Sequence, residues 1–401
     1  MHQIIDRLDR RRLLSLGAAL GGAQALAACA TAQPAASALG LNAYAGPRPM
    51  APVKARIERL FNIPVCLRPF RAAGPRLDTE HVGDKLVVHN YGHGGSGWSL
   101  SWGSGAIAVK QALARGERDI AVIGCGALGL TAALLAQRAG ARVTIYAKEL
   151  VPNVRSARAT GVWSPDSRIA LAAQAPPGFD ALWEDMTRAS YKTFLGLLGL
   201  PGDPVAWTER YVLSDHAPGS AARRRADPIG FAHYQSRVRD LTPPNETVAP
   251  GDHPFATPYV QRGPTLQFNI MEYSHLLMTD FLLAGGKTEV MEFHTPADLA
   301  RLPQKVVINC PGYGARALWK DETVTPVRGQ IGWLVPQPEV DYAFVYKTVS
   351  VLSRRDGIVV QATGPDEAWG YQDDNEQPDR AETETAIRTI AELFSRTKTA
   401  A

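Results

Sequence analysis

Asp119-Ile-Ala-Val-Ile-Gly-Cys-Gly-Ala-Leu-Gly-Leu130 is a short apolar run that closes on three spaced glycines. The residues from Thr131 to Ala139 then place Ala132, Leu135, Ala136 and Ala139 at helical spacing, and Ala141-Arg-Val-Thr-Ile-Tyr146 reads as another strand. Strand, helix and strand in this order predict a βαβ unit. Gly124-Cys125-Gly126-Ala127-Leu128-Gly129 lies at the turn between strand and helix, where a dinucleotide-binding fingerprint belongs. Its first glycine permits the tight turn and its second lets backbone approach a pyrophosphate. The third lets helix and strand pack closely, and the helix N-terminus faces the phosphates. The second strand of such a unit ends in an acid that holds a ribose hydroxyl. Here Lys148 comes first and Glu149 follows, so either a phosphate on Lys148 or a ribose on Glu149 fits.

Working outward, Lys305-Val-Val-Ile-Asn-Cys-Pro-Gly-Tyr-Gly-Ala315 is a further apolar strand running into a glycine turn. In a doubly wound sheet such a turn lies beside the nucleotide. Upstream, Leu86-Val-Val-His-Asn-Tyr-Gly-His-Gly-Gly-Ser-Gly97 is a strand followed by a glycine loop, and a helix is expected to continue to about Arg115. A loop of this kind, opening a helix, offers amides and a positive dipole end to an electron-rich ligand. His89 and His93 do not share a helix face, and no metal site is expected from them. Helices are also expected over 178–197, 274–283 and 383–395.

With 401 residues, 45% of them hydrophobic, the chain is long enough for two domains or one large α/β unit. Its net charge of +4 provides no field for nucleic acid, which is not expected as a partner. Cys66, Cys125 and Cys310 have no zinc-knuckle spacing and suggest no disulfide framework. Residues 1–12 are basic, and Leu13 to Ala28 are mostly apolar but short for a membrane span. Arg10-Arg11-Arg12-Leu13-Leu14 resembles a twin-arginine export signal. Leu26-Ala27-Ala28-Cys29 fits a lipobox that would tether the protein to a membrane through Cys29, and the same stretch also fits plain cleavage at a small-x-small site. Residues 1–29 are therefore read as an export signal and 30–50 as a tether, for a protein outside the cytoplasm, periplasmic or anchored on the outer side of the inner membrane.

The stretch His89-Asn-Tyr-Gly-His-Gly-Gly-Ser-Gly97, with Leu67-Arg68-Pro69-Phe70-Arg71 before it, resembles the D-amino-acid oxidase and D-aspartate oxidase family of FAD enzymes. The 124–129 fingerprint, Val154 to Trp163, Asn309-Cys-Pro-Gly312 and Arg328-Gly-Gln-Ile331 resemble further segments of that family. The resemblance implies an α/β fold: a Rossmann-like FAD-binding domain of the glutathione-reductase-like superfamily and a mixed-sheet substrate domain. It assigns 51–164 and 300–335 to the first, 165–299 and 336–372 to the second, and 373–401 to a C-terminal helix and tail. The segments occur in a different order from the family's, because the His89–Gly97 loop precedes the fingerprint instead of following it. A circular permutation accounts for this, with Ala114-Arg-Gly-Glu-Arg-Asp119 joining the old ends across at most about 20 Å.

By the same resemblance FAD is held by Gly124, Cys125, Gly126, Leu128 and Gly129, and by Lys148 or Glu149. Arg155, Ser156, Gly161 and Val162 form a second contact, Cys310, Pro311 and Gly312 a third, and Gly94, Gly95, Ser96, Gly97, Trp98 and Ser99 a fourth. The implied reaction is oxidation of a D-amino acid or related amine, with dioxygen or another acceptor taking the electrons. Arg68 matches the carboxylate clamp, Tyr346 a lid tyrosine over the substrate, and the amide of Gly95 a stabiliser of charge on reduced flavin. Arg71 is read as structural. Ser350, Ser164, Lys148 and Gln361-Ala362 depart from the family pattern and put the substrate in doubt. Two other readings stand beside the oxidase: an exported flavin-binding lipoprotein without oxidase activity, and an FAD dehydrogenase for another amine or a hydroxy acid.

Overall fold

The computed structural model describes residues 50–220 and 225–396, so the export signal and almost all of the tether lie outside the described residues. In chain order its strands begin with Leu60–Asn62 (β1), Val65–Arg71 (β2), Thr79–Val82 (β3), Lys85–His89 (β4), Asp119–Ile123 (β5) and Arg142–Ala147 (β6). Val205–Ser214 (β7), Glu246–Val248 (β8), Tyr259–Phe268 (β9), Lys287–Val290 (β10) and Val306–Asn309 (β11) follow. The last are Val324–Gln330 (β12), Gly332–Leu334 (β13), Tyr342–Tyr346 (β14), Val349–Arg354 (β15) and Gly357–Ala362 (β16). The longer helices are Gly97–Ala112 (α1), Ala127–Arg138 (α2), Phe179–Leu195 (α3), Ile270–Leu283 (α4) and Arg380–Ser395 (α5).

One sheet has the order β10-β6-β5-β11-β4-β3, parallel except for β3 at its edge. Its central strands are apolar runs buried on both faces, as parallel strands covered by helices must be. The strand β4 precedes the fingerprint in sequence, yet it sits beside β11, which pairs with β5 on its other side. The predicted βαβ unit is β5-α2-β6, and its first strand is central.

The larger sheet has the order β1-β13-β16-β15-β14-β7-β9-β8, and β2 and β12 form a separate antiparallel pair. The helix α5 covers one face of the large sheet. Thr383, Ala386, Ile387, Ile390 and Leu393 form its buried stripe, at the spacing of one helix face. Its start is capped by Asp379, whose Oδ1 accepts from the Glu382 amide at 2.9 Å. The segments Leu60–Asn62 and Gly332–Leu334 belong to this large sheet, although both fall in the range read from sequence as FAD-binding domain. Contacts join the chain from Pro49 onward into one unit. Among the described residues no helix is long and apolar enough to cross a membrane.

Candidate functional site

Three loops meet at the carboxyl ends of β4, β5 and β11, the edge of a doubly wound sheet where ligands bind. The Cys310 amide donates to the Ile123 carbonyl at 2.8 Å, and the Asn90 amide to the Asn309 carbonyl at 2.9 Å. The fingerprint closes on itself: a Cβ at Gly129 would lie 1.9 Å from the Gly124 carbonyl oxygen. Only glycine lets α2 start this close to β5. Ser156 ties the two helix starts together. Its hydroxyl accepts from the Ala127 amide at 3.1 Å, and its carbonyl accepts from Trp98 Nε1 at 2.9 Å.

The glycine loop before α1 packs on the backbone of Ser167 and Arg168. Gly94 has φ +54°, and a Cβ there would lie 1.9 Å from the Arg168 carbonyl oxygen. The sequence reading offered all the amides from Gly94 to Ser99 to a flavin, and here the structure corrects it. The Gly94 amide donates to Pro69 O at 2.8 Å, Gly95 to Ser167 O at 2.9 Å, and Ser96 to His93 O at 2.9 Å. The Gly95 amide is therefore spent on holding the loop and cannot stabilise charge on a ligand. The first-turn amides of α1, at Gly97, Trp98 and Ser99, have no intrahelical acceptor and remain for that role.

This cleft fits an FAD. It presents the N-termini of α1 and α2, and a Cβ at Gly97 or Gly312 would meet nothing within 4 Å. Arg155 Nη1 and Trp163 Nε1 are buried without a hydrogen-bond partner. The other Arg155 nitrogen, Nη2, pairs with Glu376 at 2.7 Å. Cys125 and Cys310 are buried, and burial raises both thiols, Cys125 to about 11. They pack as apolar groups. Lys148 pairs with Glu292 at 2.7 Å in solvent, and Glu149 is exposed beside it.

Arg68 lies on β2, opposite Val327 on β12. Its Nη1 donates to the Arg328 carbonyl at 3.1 Å, and among the described residues no carboxylate pairs with it. Burial lowers its pKa. The guanidinium occupies space that Gly329 leaves free, since a Cβ there would lie 2.4 Å from both terminal nitrogens. This accounts physically for the glycine in Arg328-Gly-Gln-Ile331. Arg71, three residues on, is structural as expected: its Nε donates to Thr323 Oγ1 at 2.9 Å and its Nη1 to Gly74 O at 3.1 Å.

Two further arginines were missed, Arg168 near Arg68 and Arg225 near Arg168. Arg168, at φ 51°, donates to the Glu367 carbonyl at 3.1 Å and lies 3.6 Å from its carboxylate. Arg225 pairs with the same carboxylate at 3.1 Å. Burial first, then the nearby Arg68, holds the Arg168 pKa down at about 10.

Tyr346 is the main correction. It is buried on the α5 side of the large sheet, clustered with Ala386, Ile387 and Leu393. Its hydroxyl donates to Asp215 Oδ2 at 3.0 Å and accepts from Arg396 Nη2 at 2.9 Å. Alternation along β14 puts Ala343 and Val345 on the opposite face, where Ala343 clusters with Ile331, Leu352, Val359 and, from the segment 154–163, Val162. Ser350 pairs with Val345 and with Gln361, so it too lies on that face. The tyrosine faces away from the site, and the serine lies on its side of the sheet.

The family of FAD dependent oxidoreductases matches residues 119–400. A D-amino-acid oxidase of Streptomyces coelicolor is 28% identical over 276 residues, 65% of this chain and 75% of that protein. One from Rubrobacter xylanophilus is 28% identical over 283 residues, 69% of this chain and 77% of that protein. A solved iminodiacetate oxidase from Chelativorans sp. BNC1 has a TM-score of 0.48 at 14% identity, covering 69% of this chain and 79% of that one. The βαβ fingerprint, the converging glycine loops and the match over residues 119–400 lead to one conclusion: the chain belongs to the FAD dependent oxidoreductase family and binds FAD.

Proposed function

We propose that the protein oxidises a carboxylate-bearing amine, a D-amino acid, at its α-carbon. The observation that carries this is Arg68: a guanidinium beside the glycine loops that has no carboxylate partner among the described residues. Its planar fork suits the two oxygens of a substrate carboxylate. The two curated D-amino-acid oxidases at 28% identity support the same substrate class. Bound FAD would supply the hydride acceptor, with dioxygen as the final two-electron acceptor. The chain itself orients. Arg68 holds the carboxylate, and Val162, Ala343 and Leu352 exclude water from the far side. The first-turn amides of α1 favour negative charge at the end of the cleft they face. The imine product leaves to hydrolyse in water.

The test is an absorption spectrum of the mature protein before and after anaerobic addition of mixed D-amino acids. Bleaching of the flavin bands is the expected result. A flavin spectrum that no D-amino acid bleaches overturns the substrate class.

We also propose that the chain is exported and that its order is circularly permuted. The family match begins at Asp119, the first residue of β5, while β3 and β4 upstream complete the same sheet. Moving residues 50–118 to the C-terminus by gene rearrangement should yield a folded, FAD-binding protein. An insoluble product would count against the permutation. Cell fractionation with the twin arginines replaced by lysines tests export.

A further inference from the structure

We propose that the outer edge of the parallel sheet is a self-association surface, on which a second copy of this chain pairs its own β10 antiparallel across a two-fold axis at Thr288. The strand β10 ends that sheet and bonds to β6 on one side only. Among the described residues no other strand and no loop backbone bonds to Lys287–Val290. Such an edge presents a row of unpaired N–H and C=O groups and is a template for another strand. The strand β1, an edge of the large sheet, is blunted by a register shift between Leu60 and Asn62. The strand β10 has no such break, and its pairing with β6 is regular from Lys287 to Val290.

The surface around this edge is apolar on one side of the sheet. Among the described residues the two most exposed large apolar side chains are Leu283, at 82%, and Val290, at 74%. The parallel register sets Thr288 beside Ile145 and Val290 beside Ala147. Both of those partners pack with Leu277 and Phe281 of α4, the helix that ends at Leu283. Val290 and Leu283 therefore share the α4 side. Lys287 and Glu289 alternate to the other side, beside Thr144 and Tyr146. Both are exposed, and neither forms an ion pair within the described residues.

The charges select both the occupant and the register. A two-fold axis at Thr288 sets Lys287 against the partner's Glu289, and Glu289 against the partner's Lys287. An axis at Lys287 would oppose two lysines, and one at Glu289 two glutamates. A foreign strand would have to match this order by chance, whereas a second copy always does, and symmetry repeats the favourable pair. The same axis brings Val290 opposite the partner's Gly286, close to the partner's Leu283. Gly286 is bare because a Cβ there would lie 2.4 Å from the Phe281 ring. One contact, made twice, thus covers both exposed apolar side chains.

The compact unit begins at Pro49, so the experiment uses FAD-loaded protein from residue 30 onward. Sedimentation equilibrium across the micromolar range should give a dimer for wild type. Lys287→Glu and Glu289→Lys each set like charges opposite one another at both pairs, and each should weaken the dimer at least tenfold. An equimolar mixture of the two variants restores opposite charges at both pairs and should return the dimer, as should the double exchange in one chain. A monomeric wild type overturns the proposal and leaves the edge to some other strand. A dimer that either single exchange leaves unchanged places the interface elsewhere and also overturns it. Weakened single variants that stay apart when mixed overturn the pairing about Thr288.

Discussion

The loop end of the parallel sheet and the open face of the large sheet build the two halves of the site by different means. The cofactor end is made of backbone: glycines 1.9 Å from a carbonyl if given a Cβ, amides at helix starts, and hydrogen bonds between loop carbonyls and loop amides. The proposed substrate face is made of side chains whose direction follows from strand alternation. At the first, residue type alone carries the information, because only glycine fits. At the second, a shift of one position along β14 exchanges Tyr346 for Val345, and the chemistry of the site changes with it. Backbone sites tolerate little and announce themselves. Side-chain sites tolerate more and stay hidden until register is known.

The largest effect should come from breaking the backbone half. Gly94→Val places a branched side chain at positive φ against the Arg168 carbonyl. We expect a loss of about 3 kcal/mol or more together with loss of FAD. Denaturant unfolding and flavin content check this, and near-wild-type values would show that the loop can shift.

Arg68→Ala reaches the other half. It should cost roughly 2–4 kcal/mol in kcat/KM for carboxylate substrates and leave FAD bound. Equal kinetics in the variant would remove Arg68 from the substrate site.

A third test concerns pH and returns to the cofactor loop. Burial holds the His93 imidazole down at about 3, from an ordinary value near 6.5. The folded protein keeps this group neutral, while the unfolded chain takes up a proton below 6.5. Stability is therefore lost as pH falls from about 6.5 toward 3, by about 2 kcal/mol at pH 5. Urea unfolding of wild type and His93→Gln at pH 7 and pH 5 should show a flatter acid limb in the variant.

The smallest effect sharpens the face assignment. Tyr346→Phe removes the hydroxyl between Asp215 and Arg396. It should lower stability by about 1 kcal/mol or less and change kcat/KM less than twofold. A tenfold fall in kcat/KM would put the hydroxyl back over the substrate.

The legible part of the molecule was the part with strong local patterns. The fingerprint, its flanking strands and the helices Phe179–Leu195 and Arg380–Ser395 follow from apolar periodicity and glycine placement. Arg68 was legible through its neighbours in Leu67–Arg71, and Gly329 now explains why it has room. Other features were not. A string of amides at Gly94–Ser99 looks uniformly available in sequence, whereas long-range partners at Pro69 and Ser167 consume two of them. A tyrosine on a strand has no sequence mark for the face it takes. Arg168 and Arg225 are ordinary charged residues in sequence, and only the Glu367 carboxylate they share in the fold sets them apart.

By itself the sequence determined that a dinucleotide fingerprint stands at 124–129 between a strand and a helix, because close backbone approach leaves glycine as the only solution and so writes the turn into residue type. Tertiary structure alone decided which loop amides are spent on the protein's own carbonyls, which face of β14 meets Val162 and, among the described residues, that no carboxylate pairs with Arg68. Each of those depends on partners distant in sequence, and pairing across a sheet is set by register and burial, not by the identity of any one residue.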